Sequence, residues 1–156
     1  MIKILFICHG NICRSPMAEF VMKDLVRKAG LEQQFIIDSK AAHRDELGHD
    51  THFGTKAKLR QMGIPFTKRR ATLLGPADYA AYDFLIGMDT ANIYDMLQIF
   101  GGDPDEKVYM LLDFAGQNGE VADPWYTGNF DETYEDISKG CKGLLQFLEK
   151  KRLLHT

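Results

Sequence analysis

The chain has 156 residues, 45% of them hydrophobic, enough for one buried core and too few for two, so a single domain over 1–156 is expected. Its formal net charge of −3 lacks the basic footprint of a nucleic-acid partner, and no apolar run approaches the ~20 residues of a membrane span. Three cysteines make no disulfide framework and the first strand has none of the flanks of a secretory signal, so a cytoplasmic protein with no membrane partner is expected, with a monomer as the default state.

Residues 2–7 are an apolar run that predicts a buried strand, and it leads directly into Cys8-His9-Gly10-Asn11-Ile12-Cys13-Arg14-Ser15-Pro16. A tight turn between a strand and a helix can aim successive backbone N–H groups inward as an anion-binding concavity, to which the helix adds the positive end of its dipole. A cysteine at the floor of such a turn, beside a fixed positive charge, is disposed to react as a thiolate. Arg14 supplies that charge, and its planar fork can grip two oxygens of a phosphoryl group. Ser15 suits the N-cap and Pro16 the first turn of a helix over 16–29, and the Ser15 hydroxyl is also placed to hydrogen-bond Cys8.

Further strands are predicted over 35–39, 84–88 and 108–112, alternating with helices over 54–62, 76–81, 90–100 and 131–151. The alternation predicts an α/β fold, a parallel sheet with helices on both faces, and Cys8, Ser39, Asp89 and Asp113 would emerge at the ligand-binding, carboxyl ends of its strands. In the last helix Tyr134, Ile137, Cys141, Leu144, Leu145 and Leu148 fall on one stripe, so Cys141 is read as a core residue. The least regular stretches, 40–53 and 113–130, are candidates to arch over the first loop. Lys68-Arg69-Arg70 lies in a polar connector and is read as a solvated face. His43, His49 and His52 are read as exposed loop histidines, with metal ligation as the alternative.

Attack of a thiolate on a phosphate monoester expels an alcohol or phenol, and that leaving oxygen needs a proton. Asp123 in Ala122-Asp123-Pro124-Trp125-Tyr126 is the candidate donor, stiffened by Pro124, with Trp125 and Tyr126 available to line a slot for an aromatic group. Asp103-Pro104 has no neighbouring aromatics and is read as a helix-to-strand loop.

The extended loop from Leu5 to Glu19, the segment from Tyr82 to Asp89 with Asn92, and the late Asp123-Pro124-Trp125-Tyr126 together resemble the low-molecular-weight protein tyrosine phosphatases, over nearly the whole chain. The resemblance implies a four-stranded parallel sheet flanked by helices and a metal-free, cofactor-free, two-step hydrolysis of phosphotyrosine in proteins or peptides, with inorganic phosphate as product. By position it implies Cys8 as nucleophile, Arg14 as holder of the phosphoryl group and Asp123 as general acid. The backbone of His9, Gly10, Asn11, Ile12, Cys13 and Arg14 would cradle the oxygens, Ser15 would stabilise the thiolate, and Asn11 and Ser39 would brace the loop. Two positions depart from the family's pattern. Asp45 stands near the place of an aromatic residue on the wall of the substrate slot, leaving Leu47, Trp125 or Tyr126 to flank a ring, and a loop-bracing histidine is missing near Arg69.

Three other readings stay open. Hydrolysis of phosphoarginine would use the same loop and acid, although related enzymes of that kind tend to carry threonine where Ile12 stands. Thioredoxin-linked arsenate reduction would need further cysteines between Cys13 and Cys141, and there are none. A non-catalytic phosphoprotein-binding module would need neither Cys8 nor Asp123. Cys13, in one tight loop with Cys8, is a possible redox partner, the alternative being a simple packing role.

Overall fold

In the computed structural model, which describes residues 1–151 and Leu153, four parallel strands form one sheet in the order β2-β1-β3-β4. Their ranges are β1 Ile2–Cys8, β2 Phe35–Ala41, β3 Phe84–Gly87 and β4 Val108–Met110. The helices are α1 Arg14–Lys28, α2 Phe53–Gln61, α3 Asp78–Ala81, α4 Thr90–Phe100, α5 Pro124–Thr127 and α6 Phe130–Lys150. Each predicted strand is present, and the helix predicted over 90–100 is found at those bounds. Arg152 and residues 154–156, the end of the predicted single domain, lie outside the described residues.

Strand alternation sorts β1 onto two cores. Ile2, Ile4, Phe6 and Cys8 face a layer built from α1, α2 and α6, where Met17, Val21, Leu59, Ile137, Cys141 and Leu144 are buried. Leu5 and Ile7 face the other way, onto Met96 of α4 and the partly buried Tyr79 of α3. Cys141 is wholly buried, and that burial pushes its thiol up, as expected of a packing residue. A central strand covered on both faces is apolar along nearly its whole length, which is why residues 2–7, apolar but for the exposed Lys3, are legible as one run.

The first helix begins at Arg14, two residues before the predicted start, with Cys13 at the N-cap position and no side-chain cap. Ser15 therefore does not cap it: its hydroxyl is turned back to the Cys8 sulfur. The stretch 113–130, read as irregular, contains the end of a 3-10 turn over Leu111–Ala115 and the short α5.

Close helix approach explains two glycines of α6. A Cβ on Gly140 would lie 2.4 Å from Leu111 Cγ, and one on Gly143 would lie 2.1 Å from the Phe114 carbonyl oxygen. Because the second obstacle is backbone, Gly143→Ala is expected to destabilise the protein by about 1–3 kcal/mol in urea unfolding. An unchanged midpoint would show that α6 and the 111–115 turn are free to separate.

Candidate active site

The carboxyl end of β1 and the N-terminus of α1 meet in a loop whose shape rests on Asn11. This residue adopts the left-handed conformation, φ 60°, and is fully buried. Asparagine tolerates that region better than most residues, provided its polar atoms are satisfied. Asn11 Nδ2 donates to Ser15 Oγ at 2.8 Å and to Ser39 Oγ at 3.0 Å. Ser15 Oγ lies 3.0 Å from Cys8 Sγ, and the Ser15 N–H points at the same sulfur from 3.4 Å. With Asn11 donating to the Ser15 oxygen, the hydroxyl proton is free to turn to the sulfur, the orientation in which it stabilises a thiolate.

Behind the loop stands Arg69, from the basic cluster Lys68-Arg69-Arg70. Read from sequence as part of a solvated face, it instead folds inward: Nη1 donates to the Asn11 carbonyl at 2.9 Å, and Nη2 to Asn11 Oδ1 at 2.6 Å and to Ser39 Oγ at 3.1 Å. Ser39 in turn donates to Glu19 Oε1 at 2.6 Å. The histidine missing from the loop-bracing pattern near this position is replaced in that role by the guanidinium. Asp50 holds the Arg69 backbone N–H at 3.1 Å and the Lys56 ammonium at 2.6 Å. Burial works to raise the Asp50 carboxyl, but those two bonds and the Thr51 N–H outweigh it and hold it down at about 2.

Arg14 is the other fixed point, its side chain only 3% exposed. Nη1 donates to Asp89 Oδ2 at 2.7 Å and to the Val121 carbonyl at 3.0 Å, while Nη2 lies 3.4 Å from Asp123 Oδ2. Burial works to lower its pKa, yet the charge on Cys8 and those on Asp89 and Asp123 raise it above its ordinary value. Asp89 serves two elements at once, because its Oδ1 caps α4 by accepting from the Asn92 N–H at 2.9 Å. Asp123 caps α5, accepting from the Trp125 N–H at 3.1 Å.

These groups line a cleft of about 370 Å³ together with His9, Gly10, Ile12, Cys13, Asp45, Glu46, Trp125 and Tyr126. Cys8, Arg14 and Asp123, far apart in sequence, thus share one opening. Trp125 and Tyr126 are 58% and 85% exposed at its rim. Asn11 and Ser15 are not in the lining and act from behind the loop, as Ser39 does. Leu47, expected as a flank for a ring, is not in the lining either, and Glu46 is.

Some side chains are used differently from the sequence reading. The His9 ring, expected to matter only through its backbone, stacks on His43 at 4.2 Å and lies 2.5 Å from Asp45 Oδ2. That bond holds the Asp45 carboxyl below its usual range. His43, His49 and His52 do not converge: they face Asp95, Glu46 and the Gly54 N–H respectively. Among the described residues no group of three or more His, Cys, Asp or Glu is arranged to hold a metal ion. Asp89 was foreseen only as a residue at a strand end, and its Asp-x-x-Asn capping signature was the available clue to its fixed orientation.

The family model described as Low molecular weight phosphotyrosine protein phosphatase matches residues 3–154. The low molecular weight protein-tyrosine-phosphatase YfkJ of Bacillus subtilis is 38% identical over 99% of this chain and 100% of its own. Its crystal structure covers 97% of this chain and 96% of that one with a TM-score of 0.93. PtpA of Staphylococcus epidermidis is 33% identical over 96% of each chain. The structure of SP-PTP, a low molecular weight protein tyrosine phosphatase from Streptococcus pyogenes, is 36% identical over 99% of this chain and 100% of its own, with a TM-score of 0.86.

Removing Arg69 takes the donor from the buried Asn11 carbonyl and leaves Asn11 Oδ1 with the Thr72 N–H at 3.3 Å, a loss of about 1–3 kcal/mol. Arg69→Met, which keeps the aliphatic stem, is expected to weaken binding of inorganic phosphate about tenfold by calorimetry. An unchanged Kd would mean that the loop holds its shape without the guanidinium.

Proposed function

The chain belongs to the low molecular weight phosphotyrosine protein phosphatase family and is a phosphatase; on that premise we propose that it hydrolyses phosphotyrosine in proteins or peptides through a cysteinyl phosphate, with no metal or cofactor. The observation that carries this reading is the Cys8 sulfur, held 3.0 Å from the Ser15 hydroxyl in a cleft that Arg14 and Asp123 also line.

In the first step the Cys8 thiolate attacks phosphorus while the bond to the tyrosyl oxygen breaks. The bonding pair leaves with that oxygen, and Asp123 delivers its proton to it. Arg14 and the backbone N–H groups of residues 9–14 hold the equatorial oxygens, donors fixed in advance where charge develops. In the second step water attacks the cysteinyl phosphate, Asp123 takes the proton, and inorganic phosphate departs with the thiolate regenerated. Trp125 and Tyr126 offer aromatic faces to the phenyl ring, and Ile12 offers it an apolar contact. This reading takes the protein as a single-domain cytoplasmic monomer whose partners are phosphoproteins, not nucleic acid or membrane. Among the described residues no helix is long and apolar enough to cross a membrane.

Phosphate release from matched phosphotyrosine, phosphoarginine and phosphoserine peptides, with a chelator present, tests the proposal. Phosphotyrosine turnover should survive the chelator and vanish in Cys8→Ser, while that variant still binds phosphate through Arg14 and the loop. Asp123→Asn should slow phenol departure by ~10²–10⁴-fold. Preference for phosphoarginine would keep the mechanism and replace the substrate; no turnover by reduced protein would favour a binding module.

We further infer that Cys13 is the redox partner of Cys8. Both are free, buried thiols in one loop. Burial, and then the charge on Cys8, push Cys13 up to about 12, so it stays protonated beside the thiolate. A peroxide that oxidises Cys8 to a sulfenic acid removes that charge, and condensation of the Cys13 thiol with it forms a disulfide and releases water. After peroxide, thiol reductant should restore the parent and not Cys13→Ser; equal recovery would return Cys13 to a packing role.

A further inference from the structure

Asp123 stands at the start of the single-turn α5, and next to it the Thr133 hydroxyl donates to the Ala122 carbonyl at 3.0 Å, but the chain before Val121 is sparsely bonded. Among the described residues, 118–120 make no hydrogen bond from main chain to main chain. The first such anchor is Val121, whose N–H donates to the Met88 carbonyl at 2.9 Å and whose carbonyl accepts from Arg14. One residue earlier, the exposed Glu120 reaches across to the start of α4. Its Oε2 accepts from both the Thr90 N–H and the Thr90 hydroxyl, each at 2.7 Å. These bonds hold the Glu120 carboxyl below its usual range, so it stays ionised at neutral pH, where the positive end of α4 also favours it.

Thr90 follows Asp89, the carboxylate that shares Arg14 with Asp123. The Glu120–Thr90 contact therefore ties the segment that leads to one carboxylate partner of Arg14, Asp123, to the N-terminus of α4, where the other, Asp89, is the cap. We propose that Glu120 is a positioning residue for Asp123: by clamping residues 118–121 to the N-terminus of α4 it sets where the acid stands relative to the leaving oxygen. It touches neither substrate nor the transferred proton. The proposal rests on Asp123 being the general acid, and without the clamp the pull of Arg14 on Asp123 would act on a looser segment.

The test is the dependence of kcat/KM on leaving-group acidity across a series of aryl phosphates, which reports the step in which the phenol departs. In Glu120→Ala the rate with phenyl phosphate should fall about tenfold, and that with a dinitrophenyl phosphate, whose leaving oxygen needs no proton, should stay within about twofold. Glu120→Gln, which keeps an oxygen acceptor for Thr90, should recover most of the loss. In an Asp123→Asn background, Glu120→Ala should add no further leaving-group dependence. A uniform fall across the series, or a lower melting temperature with the dependence unmoved, would reduce Glu120 to a structural cap of α4 and overturn the proposal. If Asp123→Asn itself leaves the dependence unchanged, the reading of Asp123 as the acid fails, an outcome distinct from failure of the clamp.

Discussion

A buried asparagine in a left-handed conformation is the constraint on which this site depends. Holding Asn11 at φ 60° costs free energy, about 1–2 kcal/mol for an L residue, and places its amide where water cannot reach it. The conformation persists because Arg69 satisfies its two oxygens and Ser15 and Ser39 receive its two protons. Buried networks of this kind are strong when every member is present and costly when one is missing. The chain of contacts from Glu19 through Ser39 and Asn11 to Ser15 ends on the Cys8 sulfur, so a loop distortion and an oriented hydroxyl are consequences of one set of bonds.

The second constraint is electrostatic. Cys8, Asp89 and Asp123 surround one guanidinium, and Asp89 is further fixed by capping α4. Arg14 is thus aimed before any ligand arrives, which is the condition under which a charge contributes most in a site sheltered from water.

How legible these features were in the sequence followed from the range of the interactions that make them. The strand over residues 2–7 and the helix over 90–100 answer to periodicity, which is local, and both were readable. Cys8, Arg14 and Ser15 lie within eight residues of one another, so their chemistry was written in a continuous motif. The true start of α1 was harder, since Ser15 has the composition of a cap and is diverted to the sulfur. Arg69 sat in a run of three basic residues indistinguishable from a solvated surface. Its partner Asn11 lies 58 positions away, and no spacing rule reports such a pair.

The amino-acid sequence by itself determined the α/β alternation, the strand-loop-helix that carries Cys8 and Arg14, and the candidacy of Asp123, because each rests on neighbours along the chain. Only the tertiary structure decided that Arg69 turns inward to brace Asn11, that Asp89 and Asp123 share Arg14, that Asp45 pairs with His9 at the rim, and that Glu120 reaches Thr90. The physical reason is the same in each case: a charged side chain is free to be solvated or paired until the fold brings a complementary group from a distant segment within hydrogen-bond reach.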